Sequence, residues 1–183
     1  MSFVLALAVA LGGVGCDSST NPLDDAETNY SLTVSGDLDL SFDGKAIHGA
    51  EPVPGGIAFV QSVSFIEGGG ALRQFQILRR APSTSFGGGP GTLGDIDESW
   101  SPAAMAAELG RWAVRARIQD SSGQVIRFFS SEGDIQISGS QSSPVMGEVS
   151  GTLRGVRTVD GEDEVVEIQV QASFNSVPSF LIN

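Results

Sequence analysis

The sequence predicts an all-β fold: an antiparallel β-sandwich of about nine strands with one short helix, or the same strands closed into a barrel. Three observations predict it. Apolar and polar residues alternate with period two in segment after segment, which sends every second side chain to one face of a strand. Glycine is 24 of 183 residues, well above the usual share of roughly 7%, and turn-forming dipeptides recur between the alternating segments. Only one segment carries helix start and stop signals. The length suits one domain, and 40% hydrophobic residues are enough for a core.

Tyr30 to Phe42 reads as the founding strand. Tyr30, Leu32, Val34, Leu38, Leu40 and Phe42 take even positions, with Ser, Thr and Asp between them and Gly36 as a bulge or bend. Asp43-Gly44 is a hairpin signal, and the chain returns through Lys45–Gly49. Glu51–Gly56, with two prolines, reads as a loop. Ile57, Phe59, Val63 and Phe65 alternate again, with Gln61 in the one polar slot. Gly68-Gly69-Gly70 turns the chain, and Leu72–Arg79 returns with Phe75 and Ile77 inward.

Residues 81–99 form the longest irregular stretch, the kind that is functional or disordered in compact domains. Ser101 suits an N-cap, Pro102 the first helical position and Gly110 the C′ position, which predicts a helix of about two turns. Trp112, Val114, Ala116 and Ile118 then share a face opposite Arg111, Arg115 and Arg117. Asp120–Gly123 turns into Val125–Phe129, which is apolar on both faces except at Arg127 and so reads as a central strand. Ile135 and Ile137 alternate next, and Val145, Val149 and Leu153 share a face with Gly147 and Gly151. After a turn at Asp160-Gly161-Glu162, the residues Val166, Ile168, Val170, Ala172 and Phe174 close the domain.

The N-terminus carries a different signal. Phe3–Val14 is an apolar run of 12 residues, short of the ~20 that span a bilayer but right for the core of a signal peptide. Gly13-Val14-Gly15-Cys16 follows, then the polar Asp17–Pro22. Small residues before a cysteine, then a polar stretch, resemble the lipobox of bacterial lipoproteins. The chain departs from that pattern at Gly13, where the family carries Leu, and has no Lys or Arg ahead of the apolar run. The resemblance implies cleavage before Cys16 and lipid attachment to Cys16. Residues 1–15 are then the leader, 16–28 the lipidated Cys and an acidic tether, and 29–183 the β-domain. As a whole the chain resembles small bacterial envelope lipoproteins. That resemblance implies a place in the cell envelope, on a membrane through the lipid, and supplies no activity.

Ten basic against 22 acidic residues give a net charge of −12, which repels nucleic-acid backbones and anionic bilayers approached by charge. Gly89-Pro90-Gly91-Thr92-Leu93-Gly94 matches a phosphate-loop spacing, but an acidic run, Asp95-Ile96-Asp97-Glu98, follows it, so the segment reads as a plain loop. Asp39-x-Ser41-x-Asp43-Gly44 begins like a calcium loop but has Ala50 at position twelve, so it reads as a turn. Asp95, Asp97 and Glu98, and Asp160 with Glu162–Glu164, read as wet acidic turns. His48 is the only histidine and reads as a surface strand position; no catalytic residue, metal or cofactor is assigned. The leading expectation is a non-enzymatic domain that binds or scaffolds an envelope protein or polysaccharide. The alternatives are a carbohydrate-binding module using Phe86 and Trp100 as stacking residues, and a barrel holding an apolar ligand. Phe86 and Trp100 also read as covers for one end of the core.

Overall fold

The structure, a computed structural model, describes residues 29–53, 58–66, 70–99 and 111–179. The leader, Cys16, the tether, Trp100 and the helix expected at Ser101–Gly110 lie outside the described residues. The strands are β1 (Tyr30–Gly36), β2 (Leu40–Pro52), β3 (Phe59–Ile66), β4 (Leu72–Ala81), β5 (Gly87–Thr92), β6 (Trp112–Gln119), β7 (Val125–Gly139), β8 (Val145–Val159) and β9 (Glu162–Pro178). They form one antiparallel sheet in the order β5-β7-β6-β4-β3-β2-β1-β9-β8. The expected all-β architecture is therefore present as a single sheet rather than two. Because β7 also pairs with β8, the ladder runs in a circuit through eight strands and returns to its start. β7 is long enough for three partners: Val125–Phe129 pairs with β6, Asp134–Gly139 pairs with β5, and its other edge follows β8.

Three expected boundaries differ in the structure. Tyr30–Phe42 is two strands, because the chain reverses at Asp37–Asp39. Gly36 takes φ +105°, a conformation that side chains disfavour. Asp37 then pins the turn to β9: its N–H donates to the Glu167 carbonyl at 3.2 Å and its Oδ2 accepts from Glu167 N–H at 2.7 Å. Asp43-Gly44 is accordingly no turn but lies inside β2, where a Cβ on Gly44 would sit 2.6 Å from the Ile66 carbonyl oxygen. Val125–Phe129 and Ile135–Ile137 are one strand of 15 residues. Their inward residues change from even (Ile126, Phe128, Ser130) to odd (Ile135, Ile137) across a bulge between Ser130 and Glu132. Finally, the stretch at 81–99 contains a strand. β5 reads GGGPGT, so it has no side-chain alternation, and its pairing to β7 is made by backbone alone. Pro90 is tolerated there because β5 is an edge strand.

The apolar residues meet inside the circuit. Tyr30 stacks on Phe65 with centroids 4.3 Å apart, Phe65 on Phe75 at 4.9 Å, and Phe174 tilts against Phe65 at 5.7 Å. Four strands thus meet in one aromatic stack, and such pairs add ~0.5–1.5 kcal/mol each beyond area burial. Leu32, Val34, Ile77, Val114, Ile118, Ile126, Leu153 and Ile168 fill the rest, all essentially solvent-free. On β9 the expected alternation holds without a break from Val166 to Phe174. Between Glu167 and Asn175 the outward positions of β9 are polar, the reverse of the apolar-out pattern of lipid-spanning strands. Among the described residues no helix is long and apolar enough to cross a membrane.

Candidate functional site

The register of the sheet sorts its outward side chains into two unlike surfaces. The first covers β5, β7, β8, β9, β1 and β2. One row across these strands reads Pro90, Gln136, Glu148, Ser173, Ser31, Asp43. The next reads Thr92, Asp134, Ser150, Gln171, Thr33, Ser41. A third, Glu132, Thr152, Gln169, Ser35, is linked by hydrogen bonds: Gln169 Nε2 donates to Thr152 Oγ1 at 2.9 Å, and Thr152 lies 3.4 Å from a Glu132 carboxylate oxygen. Apart from Pro90, every residue in these rows carries a hydroxyl, carboxamide or carboxylate. Each strand supplies them at every second position, so the pattern follows from the same alternation that builds the core.

Three concavities lie along these rows, with volumes of about 810, 680 and 600 Å³. They share lining residues. Gln136, Glu148 and Ser173 belong to the first and third, and Asp134, Ser150 and Gln171 to the second and third, so they form one continuous trough. None of the ten Lys and Arg residues lines it. Asp43, Asp134 and Glu148 make no ion pair with another described residue.

The second surface is built of arginine and apolar residues. β3, β4 and β6 contain no acidic residue but five arginines. Across β6–β9 one row reads Arg115, Phe129, Arg154, Glu167, and Arg117 stands opposite Arg127. Val125, Val156 and Val165 are exposed between them, Val165 by 66%. With Ile96 and Phe129 they line a groove of about 540 Å³, rimmed by Asp95, Asp97 and Glu98. Here the charges are paired: Arg127 with Glu98 at 2.7 Å and Arg154 with Glu167 at 3.0 Å.

Inside one end of the circuit lies a polar cluster. His48 is 1% exposed, not on the surface as its sequence context implied. It shares the inward parity of Phe42 and Ala46 on β2, which is the signal that locates it. Its Nδ1 lies 3.0 Å from Ser176 Oγ, and Ser176 donates its own proton to the Val145 carbonyl at 2.9 Å. Ser176 therefore accepts from His48, which fixes the proton on Nδ1. Nε2 makes no hydrogen bond. Burial pushes the imidazole pKa below its ordinary 6.5, against the smaller opposing pull of the Gln141, Ser140 and Ser176 backbones. Ser176 is wholly buried as well, so the pair braces β2, β9 and the start of β8.

Phe86 packs edge-on against His48, with centroids 5.3 Å apart, and has no exposure. It therefore offers no ring to a sugar, and its expected role as a stacking residue is corrected to that of a plug. Gln61 holds the plug: its Nε2 donates to the Ser83 carbonyl at 2.9 Å and the Ser85 carbonyl at 2.6 Å. Its position among inward Val63 and Phe65 placed it inside, as the alternation requires. Arg79 lies over the Trp112 ring at 4.7 Å, a cation–π contact, and burial lowers its pKa. Trp100 and Cys16 lie outside the described residues. Among those described, no group of three His, Cys, Asp or Glu side chains is arranged to hold a metal ion. Comparison with known protein families, curated proteins and solved structures finds no match to this chain.

Proposed function

We propose that this chain is a non-enzymatic binding domain of a bacterial cell envelope, held to a membrane by lipid on Cys16 and presenting its polar trough to another envelope component. The observation that carries the binding role is the trough itself: rows of hydroxyl, amide and carboxylate side chains in register across six strands, over concavities of about 600–810 Å³. Two features support binding over catalysis and over an internal ligand. The one histidine is closed off from solvent and committed to Ser176. The interior is occupied by the aromatic stack and by Phe86, which favours a surface site over an apolar cavity.

The anchor rests on the Gly13–Cys16 pattern and the polar stretch after it. A tether of 13 residues, 16–28, reaches at most about 43–47 Å when extended, ample for the domain to turn its trough away from the bilayer. The test is the mass of the mature N-terminus together with fractionation of Cys16→Ser. The expected result is a chain that starts at Cys16 with acyl mass on it and sediments with membranes, while Cys16→Ser does not. A full-length chain with a free thiol in the soluble fraction overturns the anchor.

A further inference from the structure

We infer that the trough over β7, β8, β9 and β1 binds an uncharged polyhydroxylated polymer, a neutral polysaccharide strand laid across the outward rows. The inference deepens the binding role proposed above and is independent of the lipid anchor.

The chemistry of the lining selects the ligand. A carboxamide both donates and accepts, as do hydroxyls, and a sugar hydroxyl likewise does both. Gln136, Gln171 and Ser150 offer that pairing at neighbouring positions of adjacent strands. Asp134 and Glu148 add carboxylates that accept from neighbouring ligand hydroxyls, and charge-assisted bonds of this type are the stronger ones. Anionic polymers are disfavoured, because these carboxylates have no lysine or arginine beside them to offset their charge. Apolar ligands are disfavoured too, because the surface offers them little to desolvate; among its outward positions only Met146 and Pro90 are apolar.

The shape agrees. The concavities merge into a trough open along the strands, which suits a chain passing through rather than a small molecule enclosed. Among the described residues no outward aromatic ring lies in the trough, so affinity rests on many hydrogen bonds, each replacing one made to water. Binding of this kind is individually weak, depends on polymer length and is insensitive to salt, whereas attraction of a cationic partner to the same carboxylates is screened by salt.

The test is retention of the full chain on immobilised dextran, mannan, laminarin and chitin, with alginate and polylysine as charged controls, at 0.05 and 0.5 M NaCl. We expect retention on at least one neutral polymer, unchanged within twofold by salt, and none on alginate. Gln171→Ala with Glu148→Ala lowers retention at least tenfold. So does Ser150→Tyr, which fills the trough from an exposed position. Arg117→Ala, on the opposite surface, leaves it unchanged. Urea midpoints confirm that each variant is folded. Retention only on polylysine, lost at high salt, overturns the inference, as does no retention on any neutral polymer or loss caused equally by Arg117→Ala. Failure of the lipid analysis leaves this result untouched, and failure here leaves the anchor untouched.

Discussion

His48 shows how one side chain ties pH to stability. Its imidazole is neutral in the fold, held so by burial, and its Nδ1 proton is committed to Ser176. The folded pKa lies below the 6.5 of the unfolded chain, so below that pH the unfolded chain binds more protons. The resulting stability is complete above about pH 6.5 and drains away as pH falls toward the folded pKa. Urea denaturation of the wild type is expected to show a flat midpoint from pH 8 to 6.5 and a decline from there to 5.5, above the range where ordinary carboxylates titrate. His48→Gln, neutral at every pH, is expected to be less stable by about 1–3 kcal/mol at pH 8 and to lack that decline. A wild-type midpoint that stays flat to pH 5.5 excludes a buried neutral imidazole. The alternation of β2 contained His48's inward position, but a polar residue on an apolar face reads as surface until its partner is seen. Ser176, 128 residues away, cannot be seen from sequence.

At the scale of the element, β7 and β8 show which glycines matter. Gly133 sits at φ +146°, where a Cβ would lie 2.3 Å from the Ser150 carbonyl oxygen and 2.6 Å from Gly151 Cα. That close approach lets β7 bend beside its bulge and still pair with β8. Gly88 on β5 has nothing within 4 Å of such a Cβ. Gly133→Ala is therefore expected to destabilise by about 2 kcal/mol or more, through strain and overpacking, while Gly88→Ala changes stability by less than about 0.5 kcal/mol. Thermal melts followed by circular dichroism separate the two; equal effects refute the close-approach account. Strand existence was legible wherever alternation was clean, as on β9, β6 and β8. Continuity was missed where parity flips within one strand, as on β7, and existence was missed where there is no side-chain pattern at all, as on β5. The turn at Asp37–Asp39 escaped because Leu38 and Leu40 keep the even parity of β1 across it, and what fixes the turn is Glu167, far along the chain.

For the whole molecule, the circuit makes cooperation the rule. Each of its strands has a neighbour on both sides, so removing any one exposes two others. The domain is expected to unfold as a unit: emission from Trp112, which is 2% exposed, and far-UV circular dichroism should share one urea midpoint. Midpoints that separate would mean that the arginine side and the trough side are independent layers. The segregation of the ten cations from the trough belongs to this scale too. Net charge alone argued only against polyanions; which surface lacks cations became visible once register placed β3, β4 and β6 together. The candidate site was legible only in part. Its residues are the outward serines, threonines, glutamines and carboxylates, odd-numbered on β1, β2 and β9 and even-numbered on β5, β7 and β8; no local motif marks them, because the rows exist only across strands far apart in sequence.

β9 is the last of the described strands, yet it supplies ladders to both β1, the first of them, and β8. Until it leaves the ribosome, two open edges remain and the sheet cannot shut. The nascent chain therefore carries two unpaired strand edges until β9 emerges, the stage at which edge-to-edge association is easiest.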